Sequence, residues 1–226
     1  MFIAIDTSTD TTGLALAGDN DLIVEFTWRC GKNHSVQLLP SLAFMLRQAK
    51  LSLSAASGII VARGPGGYNG LRVGLSTAKS LAFCLNIPLA GISTLEAMAY
   101  EHTTTGTPVC PVINPGGNDI AAAIFGMKDG EWSRTLPEQI ISVDNLCALI
   151  NTRTTFCGQI TAPTAARLKE KLGEKAIILP PAADWRSAGS LTELGRRRFR
   201  NNDYDNPASL QPLYLRGPSI TPAKHK

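Results

Sequence analysis

Apolar and polar positions in the first half of the chain follow two periods in succession. Short apolar runs bounded by turn residues are typical of buried strands, and apolar residues at three- and four-residue spacing are typical of helices. The pattern predicts strands at 2–6, 13–18, 21–28, 58–62 and 87–92. It predicts helices at 34–49, at 71–85 and from 93 or 94 to 100.

The same order of elements returns in the second half, without a repeat at the level of residues. Strands are predicted at 109–113, 119–125, 131–142, 154–157 and 176–179, and helices at 144–150, 163–172 and 187–200. Strands that alternate with helices indicate mixed α/β layers. We therefore predict a duplicated α/β fold with two mixed-sheet subdomains, 1–103 and 104–226, joined near Thr103–Thr107 and separated by a cleft.

Two helices of the first half are apolar on two sides. Such a helix is either deeply buried or half of an interface, and the flanking strands of a small domain favour an interface. The residues predicted to contact a partner or a second copy are Leu38, Leu42, Met45, Leu71, Val73, Gly74, Thr77, Ala78 and Leu81. Pro40 should either remove one backbone hydrogen bond or move the start of its helix toward Leu38.

The first predicted strand ends in Asp6 and continues into a polar turn. Hydroxyl and backbone N–H groups in a tight turn can hold an anion, and a carboxylate can hold the water shell of Mg²⁺. Asp6, Thr7, Ser8 and Thr9 are therefore a candidate vestigial nucleotide site. The same residue types are common in ordinary turns, so both interpretations stay open.

A glycine-rich loop, RGPGGYNG at 63–70, runs into the helix at 71–85. It lacks the Gly-Lys-Ser/Thr ending of a phosphate-binding loop and the G-x-G-x-x-G spacing of a dinucleotide site. Anion binding at the helix N-terminus and close packing of the backbone both remain open.

Composition narrows the class of protein only slightly. The net charge of +4 over 226 residues permits a nucleic-acid partner without requiring one. Five scattered cysteines without a CxxC pair disfavour disulfides and zinc, and predict reduced thiols in the cytoplasm. No apolar run reaches the roughly 18–20 residues of a membrane span. The N-terminus is expected to be the first strand and not a signal peptide.

Five segments carry a resemblance to a known family. They are FIAIDTS at 2–8, HSVQLLP at 34–40, GPGGYNGLRVGLSTAKSLA at 64–82, GISTLEAMA at 91–99 and LQPLYLRGP at 210–218. Together they resemble the TsaB (YeaZ) family, strongly in the first half and weakly from about 114 to 180. The resemblance implies the duplicated actin-like (ASKHA, ribonuclease H-like) fold. It also implies a cytoplasmic role in making N6-threonylcarbamoyladenosine at position 37 of tRNAs that read ANN codons.

The resemblance further implies a scaffold that is not an enzyme on its own. It would bind and activate a TsaD-like catalytic subunit through the first two helices, with a TsaE-like ATPase at that junction. The complex would bind tRNA, and the chain alone would form a homodimer. No cofactor and no membrane are implied, although weak or interface-shared ATP or ADP with Mg²⁺ stays open.

No catalytic or metal-binding residue is predicted. The catalytic relatives carry a His-x-x-x-His pair where this chain has Thr94 and Met98, which cannot replace two imidazoles. The three histidines, His34, His102 and His225, have no ligand spacing. His34 is expected to cap or pack at the start of its helix.

The chain departs from the family pattern at two places. Gly67, Tyr68 and Asn69 stand where Ser, Phe and Thr are more frequent, which removes two hydroxyls from a phosphate loop. Asn114–Gly117 replaces an Asp-Ala-Arg segment, which weakens nucleotide binding by the second hairpin.

Basic residues cluster toward the C-terminus. Arg196, Arg197, Arg198 and Arg200 end the last predicted helix, and Arg216, Lys224 and Lys226 follow in a proline-rich tail. A solvated helix end explains the four arginines, because cations favour the negative end of the helix dipole. Contact of these arginines with tRNA phosphates is the more specific alternative. Two other functions remain as alternatives: an ATP-dependent ASKHA enzyme that uses Asp6 to Thr9, and a glycoprotease-like peptidase.

Overall fold

The computed structural model describes residues 1–115, 119–180 and 186–215. The first half contains strands β1 (Phe2–Asp6), β2 (Thr11–Ala17), β3 (Leu22–Arg29), β4 (Gly58–Gly64) and β5 (Leu89–Ser93). Its helices are α1 (His34–Gln48), α2 (Tyr68–Leu85) and α3 (Thr94–Tyr100). The second half contains strands β6 (Val109–Ile113), β7 (Asp119–Lys128), β8 (Glu131–Ser142), β9 (Thr154–Gly158) and β10 (Ala176–Ile178). Its helices are α4 (Val143–Leu149), α5 (Ala162–Leu172) and α6 (Ala188–Arg200).

The two sheets have the same topology, which confirms the predicted duplication. Their strand orders are β3-β2-β1-β4-β5 and β8-β7-β6-β9-β10. In each, a three-strand antiparallel meander is extended by two parallel strands. The parallel pairs need helical crossovers, so the helices cover the faces of both sheets.

Strand alternation sends side chains of β1 into two separate cores. Ile3 and Ile5 pack under α1 and α2, whereas Ala4 packs under α6 on the opposite face of the sheet. Helix α3 lies between the two sheets, because Ala97 joins the first half while Leu95 and Met98 join the second. The polar turn that follows Asp6 at the end of β1 lies at the boundary of the two halves.

The last helix crosses back to the first sheet. We predicted residues 104–226 as the second subdomain, but α6 packs against β1, β2 and β5. Beyond it, Asp205 bridges to Leu89, and Leu210 enters the core under α1 and α2. By packing, residues 188–210 therefore belong to the first half, since the apolar face of α6 covers the side of the first sheet that α1 and α2 leave open.

The start of α1 differs from one of the two predicted alternatives. The helix begins at His34 and contains Pro40, so a start near Leu38 is wrong. Pro40 cannot donate to the carbonyl of Val36. Both residues are exposed, so water can solvate that carbonyl and the helix continues.

Candidate functional site

The turn after β1 is closed by its own hydrogen bonds. Asp6 Oδ1 accepts from the backbone N–H and the hydroxyl of Ser8, at 2.8 and 2.6 Å. Thr7 Oγ1 donates to the carbonyl of Gly70 at 2.7 Å. Asp6, Thr7 and Ser8 are buried, so these groups do not line an open anion site.

A guanidinium group from the far end of the chain fills the remaining positions. Arg186 Nε donates to Asp6 Oδ2 at 3.1 Å, and Nη2 donates to Thr9 Oγ1 at 2.9 Å and to the carbonyl of Thr11 at 3.3 Å. The side chains of Arg186 and Asp6 are only 9% and 7% exposed. The guanidinium of Arg186 is thus paired with the Asp6 carboxylate, the group that Mg²⁺ would need as a ligand. Within residues 1–115, 119–180 and 186–215, no group of three or more His, Cys, Asp or Glu side chains is placed so that it could hold a metal ion.

The glycines around the opening of α2 let the helix approach this turn. A Cβ on Gly66 would lie 2.1 Å from the carbonyl oxygen of Ser8, and a Cβ on Gly70 would lie 2.1 Å from that of Thr7. A Cβ on Gly74 would lie 2.1 Å from Thr7 Oγ1. The loop is therefore a close-packing element that docks on the Asp6–Thr9 turn.

A cleft of about 890 Å³ opens between the halves, beside the turn. Gly66, His34 and Thr9 line it from the first half, and Asn114 and Gln159 from the second. His34 is buried, with Nε2 2.7 Å from the carbonyl oxygen of Thr9, which confirms the expected packing role. Of the divergent Asn114–Gly117 segment, the last two residues lie outside the described residues.

Two aromatic side chains stand at the rim of the cleft. The rings of Tyr68 and Tyr214 are stacked with centroids 5.2 Å apart, and the guanidinium of Arg72 lies 5.2 Å from the Tyr68 centroid. Tyr214 follows the segment whose Leu213 N–H donates to the carbonyl of Arg63. The tail is thus tied to the end of β4 and to α2.

Two carboxylates hold the N-terminus of α6, next to Arg186. Glu25 accepts from the backbone N–H of Ala188 at 2.6 Å, and Glu101 accepts from that of Ser187 at 2.7 Å. Burial raises the pKa of Glu101 to about 7, against the opposing effects of the Ser187 hydrogen bond and Arg186. The charges of Glu25 and Asp6 also raise it.

Replacing Glu101 with glutamine should remove part of the pH dependence of stability. Because the folded-state pKa is raised, the favourable contribution of Glu101 is full below about pH 4.5 and is lost as the pH rises to about 7. Between about pH 5 and pH 7 the wild-type chain should lose about 1 to 2 kcal/mol more than Glu101→Gln. Urea unfolding at several pH values measures this, and parallel profiles would contradict it.

Most residues predicted for the partner interface lie in the core of the first half. Leu38, Leu42, Met45 and Ala78 belong to the apolar cluster beneath α1 and α2, and Leu71 has no exposed surface. These side chains are not on the surface, because they cover the apolar residues of the first sheet. Gly74 packs on Thr7 within the chain.

The opposite faces of α1 and α2 carry apolar residues that the prediction did not name. Val36, Leu39 and Phe44 of α1 are 71%, 52% and 46% exposed. Val73, Thr77 and Leu81 of α2, which were predicted, are partly exposed. We call Val36, Leu39, Val73, Thr77 and Leu81 the outer helix face; Phe44 lies apart from it, because its ring contacts that of Phe26 on β3, with centroids 6.4 Å apart. In the sequence, Val36 and Leu39 belong to the second apolar side of α1, whereas Phe44 belongs to neither.

The four arginines at the end of α6 are engaged within the chain. Arg198 pairs with Asp203 and Asp205, each at 2.7 Å. Arg196 binds Glu193 and the carbonyl of Gly18. Arg197 lies near Glu193 and over the ring of Tyr100, and Arg200 donates to the carbonyl of Asp19. The four arginines are therefore not a free basic patch. Contact with RNA stays a prediction, and of the four only Arg197 and Arg200 are exposed enough to make it. Arg216, Lys224 and Lys226 lie outside the described residues.

Comparison with known proteins places these features in a family. A family model described as TsaD, tRNA N6-adenosine threonylcarbamoyltransferase, matches residues 29–221. The tRNA threonylcarbamoyladenosine biosynthesis protein TsaB of Haemophilus influenzae is 36% identical over 228 aligned positions, which cover 95% of this chain and 92% of that protein. The chain belongs to the TsaB family. The TsaB of Bacillus subtilis is 28% identical, with 95% and 93% coverage.

Solved structures of TsaB relatives share the fold. YeaZ from Pseudomonas aeruginosa superimposes with a TM-score of 0.79 at 20% identity, over 94% of this chain and 99% of that one. A structure described as an uncharacterized protein with similarity to peptidase YeaZ, from the same organism, gives 0.81 at 22% identity, over 95% and 99%. The duplicated α/β fold is confirmed, and this TsaB-family chain takes part in tRNA threonylcarbamoyladenosine biosynthesis.

Two positions of α3, Thr94 and Met98, were considered in the sequence as places for a pair of histidines. Thr94 and Met98 lie on one side of α3 and are buried, Met98 against the core of the second half. Neither supplies an imidazole, so this face of α3 is a packing surface. No helix within the described residues combines the length and apolarity needed to cross a bilayer.

Proposed function

We propose that the chain is a non-catalytic subunit of the complex that makes N6-threonylcarbamoyladenosine at position 37 of ANN-reading tRNAs. In this proposal it binds and activates a TsaD-like catalytic subunit. The observation that carries the proposal is the outer helix face, where Val36 and Leu39 of α1 are exposed and Val73 and Leu81 of the neighbouring α2 are partly exposed. Exposed apolar side chains on adjacent helices favour burial against a partner.

The geometry of the Asp6 turn supports a role without catalysis. Its carboxylate is paired with Arg186 and hydrogen-bonded to Ser8, so no free general base remains there. His34 faces the cleft, but its Nε2 is occupied by the Thr9 carbonyl. These contacts count against both an ATP-dependent enzyme and a peptidase as the alternative function.

The same contacts bear on the cofactor. Mg-ATP at Asp6 would have to displace Arg186 and leave a buried guanidinium without its counter-charge, which costs several kcal/mol. We therefore propose no tightly bound nucleotide on the isolated chain. Weak ATP or ADP shared with a partner remains compatible with the open cleft. Calorimetry with Mg²⁺ and ATP checks this: submicromolar binding with turnover would favour the enzyme.

The proposal includes three further partners. A TsaE-like ATPase docks at the junction with the catalytic subunit, and tRNA binds the assembled complex in the cytoplasm. Without the catalytic subunit, the outer helix face pairs with a second copy of the chain, because one self-complementary surface can form a two-fold dimer.

Replacing Leu39 with glutamate should abolish this assembly. Leu39 is 52% exposed on the outer helix face, so a charge there should leave the chain folded but place an unpaired carboxylate in the interface. Co-purification with a TsaD-like subunit and reconstituted tRNA modification measure the loss, which we expect to exceed about 100-fold in affinity.

Leu149→Glu is the matched control, because Leu149 is 47% exposed on α4 of the second half. It should leave assembly and modification unchanged. A Leu39→Glu chain that assembles as well as the Leu149→Glu chain would refute the proposed interface. Buried Leu42 is unsuitable for this test, because a charge at that position would unfold the domain instead.

A further inference from the structure

A second, smaller cavity lies where the first sheet meets β8 of the second. It has a volume of about 260 Å³ and shares no lining residue with the large cleft. We call it the junction pocket. Its charged lining consists of three guanidinium groups and two carboxylates: Arg63, Arg134, Arg198, Glu96 and Asp205.

Two of the three arginines have counter-charges at the pocket wall. Arg198 pairs with Asp205 at 2.7 Å and also donates to the carbonyl of Gly91 at 2.9 Å. Arg134 lies 3.4 Å from Glu96 and 3.3 Å from Glu138. The contact between Arg134 and Glu96 joins β8 of the second half to α3.

Arg63 differs from them. It is the penultimate residue of β4 and lies beside Gly91, where a Cβ would lie 3.3 Å from Arg63 Cδ, so the glycine gives the side chain room to cross β5. Its Nε is buried without a hydrogen-bond partner, and it forms none of the ion pairs of residues 1–115, 119–180 and 186–215. A buried charged donor without a partner is costly, and an ion from solvent is one usual remedy.

The carboxylates that line the pocket with Arg63 are paired with other arginines, Glu96 with Arg134 and Asp205 with Arg198. Burial raises the pKa of Glu96, although Arg134 opposes that effect. The volume is below the roughly 300–1,000 Å³ of pockets for drug-sized ligands. A pocket of this volume suits a small ligand with a single charged group.

We propose that the junction pocket binds a small oxyanion, phosphate or the carboxylate of a small molecule, through the guanidinium of Arg63. Arg63 belongs to the first half and Arg134 to the second, so the bound anion would lie at the boundary of the two halves. The proposal concerns the isolated chain and does not depend on the outer helix face or on a partner.

The test is thermal unfolding of the full chain in phosphate and in acetate, each against chloride at equal ionic strength. Well above the dissociation constant, phosphate should raise the unfolding midpoint by about 3 °C or more. Arg63→Met should lose this rise. Arg153→Met, which removes an exposed arginine before β9, should keep it.

Calorimetric titration keeps the test decisive if Arg63→Met folds poorly. Wild-type protein should give a saturable heat with phosphate, and Arg63→Lys, which retains the charge, should bind more weakly. A response to acetate as well would extend the ligand to carboxylates. The proposal is overturned if wild-type protein shows no saturable response to either anion, or if the Arg63 variants respond like Arg153→Met.

Discussion

Replacing Arg186 with methionine should lower the free energy of unfolding by about 3 to 5 kcal/mol. The variant leaves the buried carboxylate of Asp6 without its ion-pair partner and takes a donor from Thr9 and the Thr11 carbonyl. Desolvation of an unpaired charge makes the loss large, whereas the similar volume of methionine keeps the loss of packing small. Urea unfolding followed by circular dichroism measures it.

Two further variants show whether the unpaired charge is the cause. Arg29→Met breaks an exposed ion pair with Asp10, in which the side chains are 77% and 44% exposed, and should cost less than about 1 kcal/mol. Adding Asp6→Asn to Arg186→Met removes the uncompensated carboxylate while Ser8 can still donate to the amide oxygen. This double variant should recover part of the loss. Equal costs for Arg186→Met and Arg29→Met would contradict the buried-pair argument.

This ion pair marks the limit of what the sequence could reveal about the site. Asp6 and its neighbouring hydroxyls stand out locally, because they follow an apolar strand. Arg186 lies 180 positions away and adjoins no motif. It reaches the turn only because α6 crosses back to the first sheet, and that crossing follows from tertiary packing, which periodicity does not encode. Because of the same crossing, residues 188–210 pack on the first half although the predicted boundary at 104 assigned them to the second.

Periodicity predicted the elements themselves well, because each strand and helix has an apolar face. The ends of β1, α3, β6 and β8 agree with the prediction to within a residue. For α1, both apolar stripes were visible, but which of them covers the sheet depends on how the helix is rotated about its axis. Leu38, Leu42 and Met45 cover it, so the exposed stripe at Val36 and Leu39 is the surface that remains for a partner.

Replacing Gly70 with alanine should destabilise the chain by about 2 kcal/mol. Alanine is the better helix former by up to about 1 kcal/mol, so an open site would gain stability. Here the added Cβ would meet the carbonyl oxygen of Thr7 at 2.1 Å and the His34 ring at 3.2 Å. Backbone atoms cannot rotate away, so α2 has to shift from the turn, and overpacking of this kind costs about 1 to 3 kcal/mol or more.

Gly126→Ala in β7 is the control, because the nearest atoms that a Cβ there would meet belong to Pro108, at an ordinary 3.7 Å. It should be neutral or slightly stabilising, since glycine weakens a strand. The comparison by urea unfolding separates two interpretations of the glycine-rich loop. If it exists to pack α2 against the Asp6–Thr9 turn, Gly70→Ala loses stability without any ligand present. If Gly70→Ala is as stable as Gly126→Ala, close packing is not the reason for the glycine, and an anion at the N-terminus of α2 becomes the better explanation.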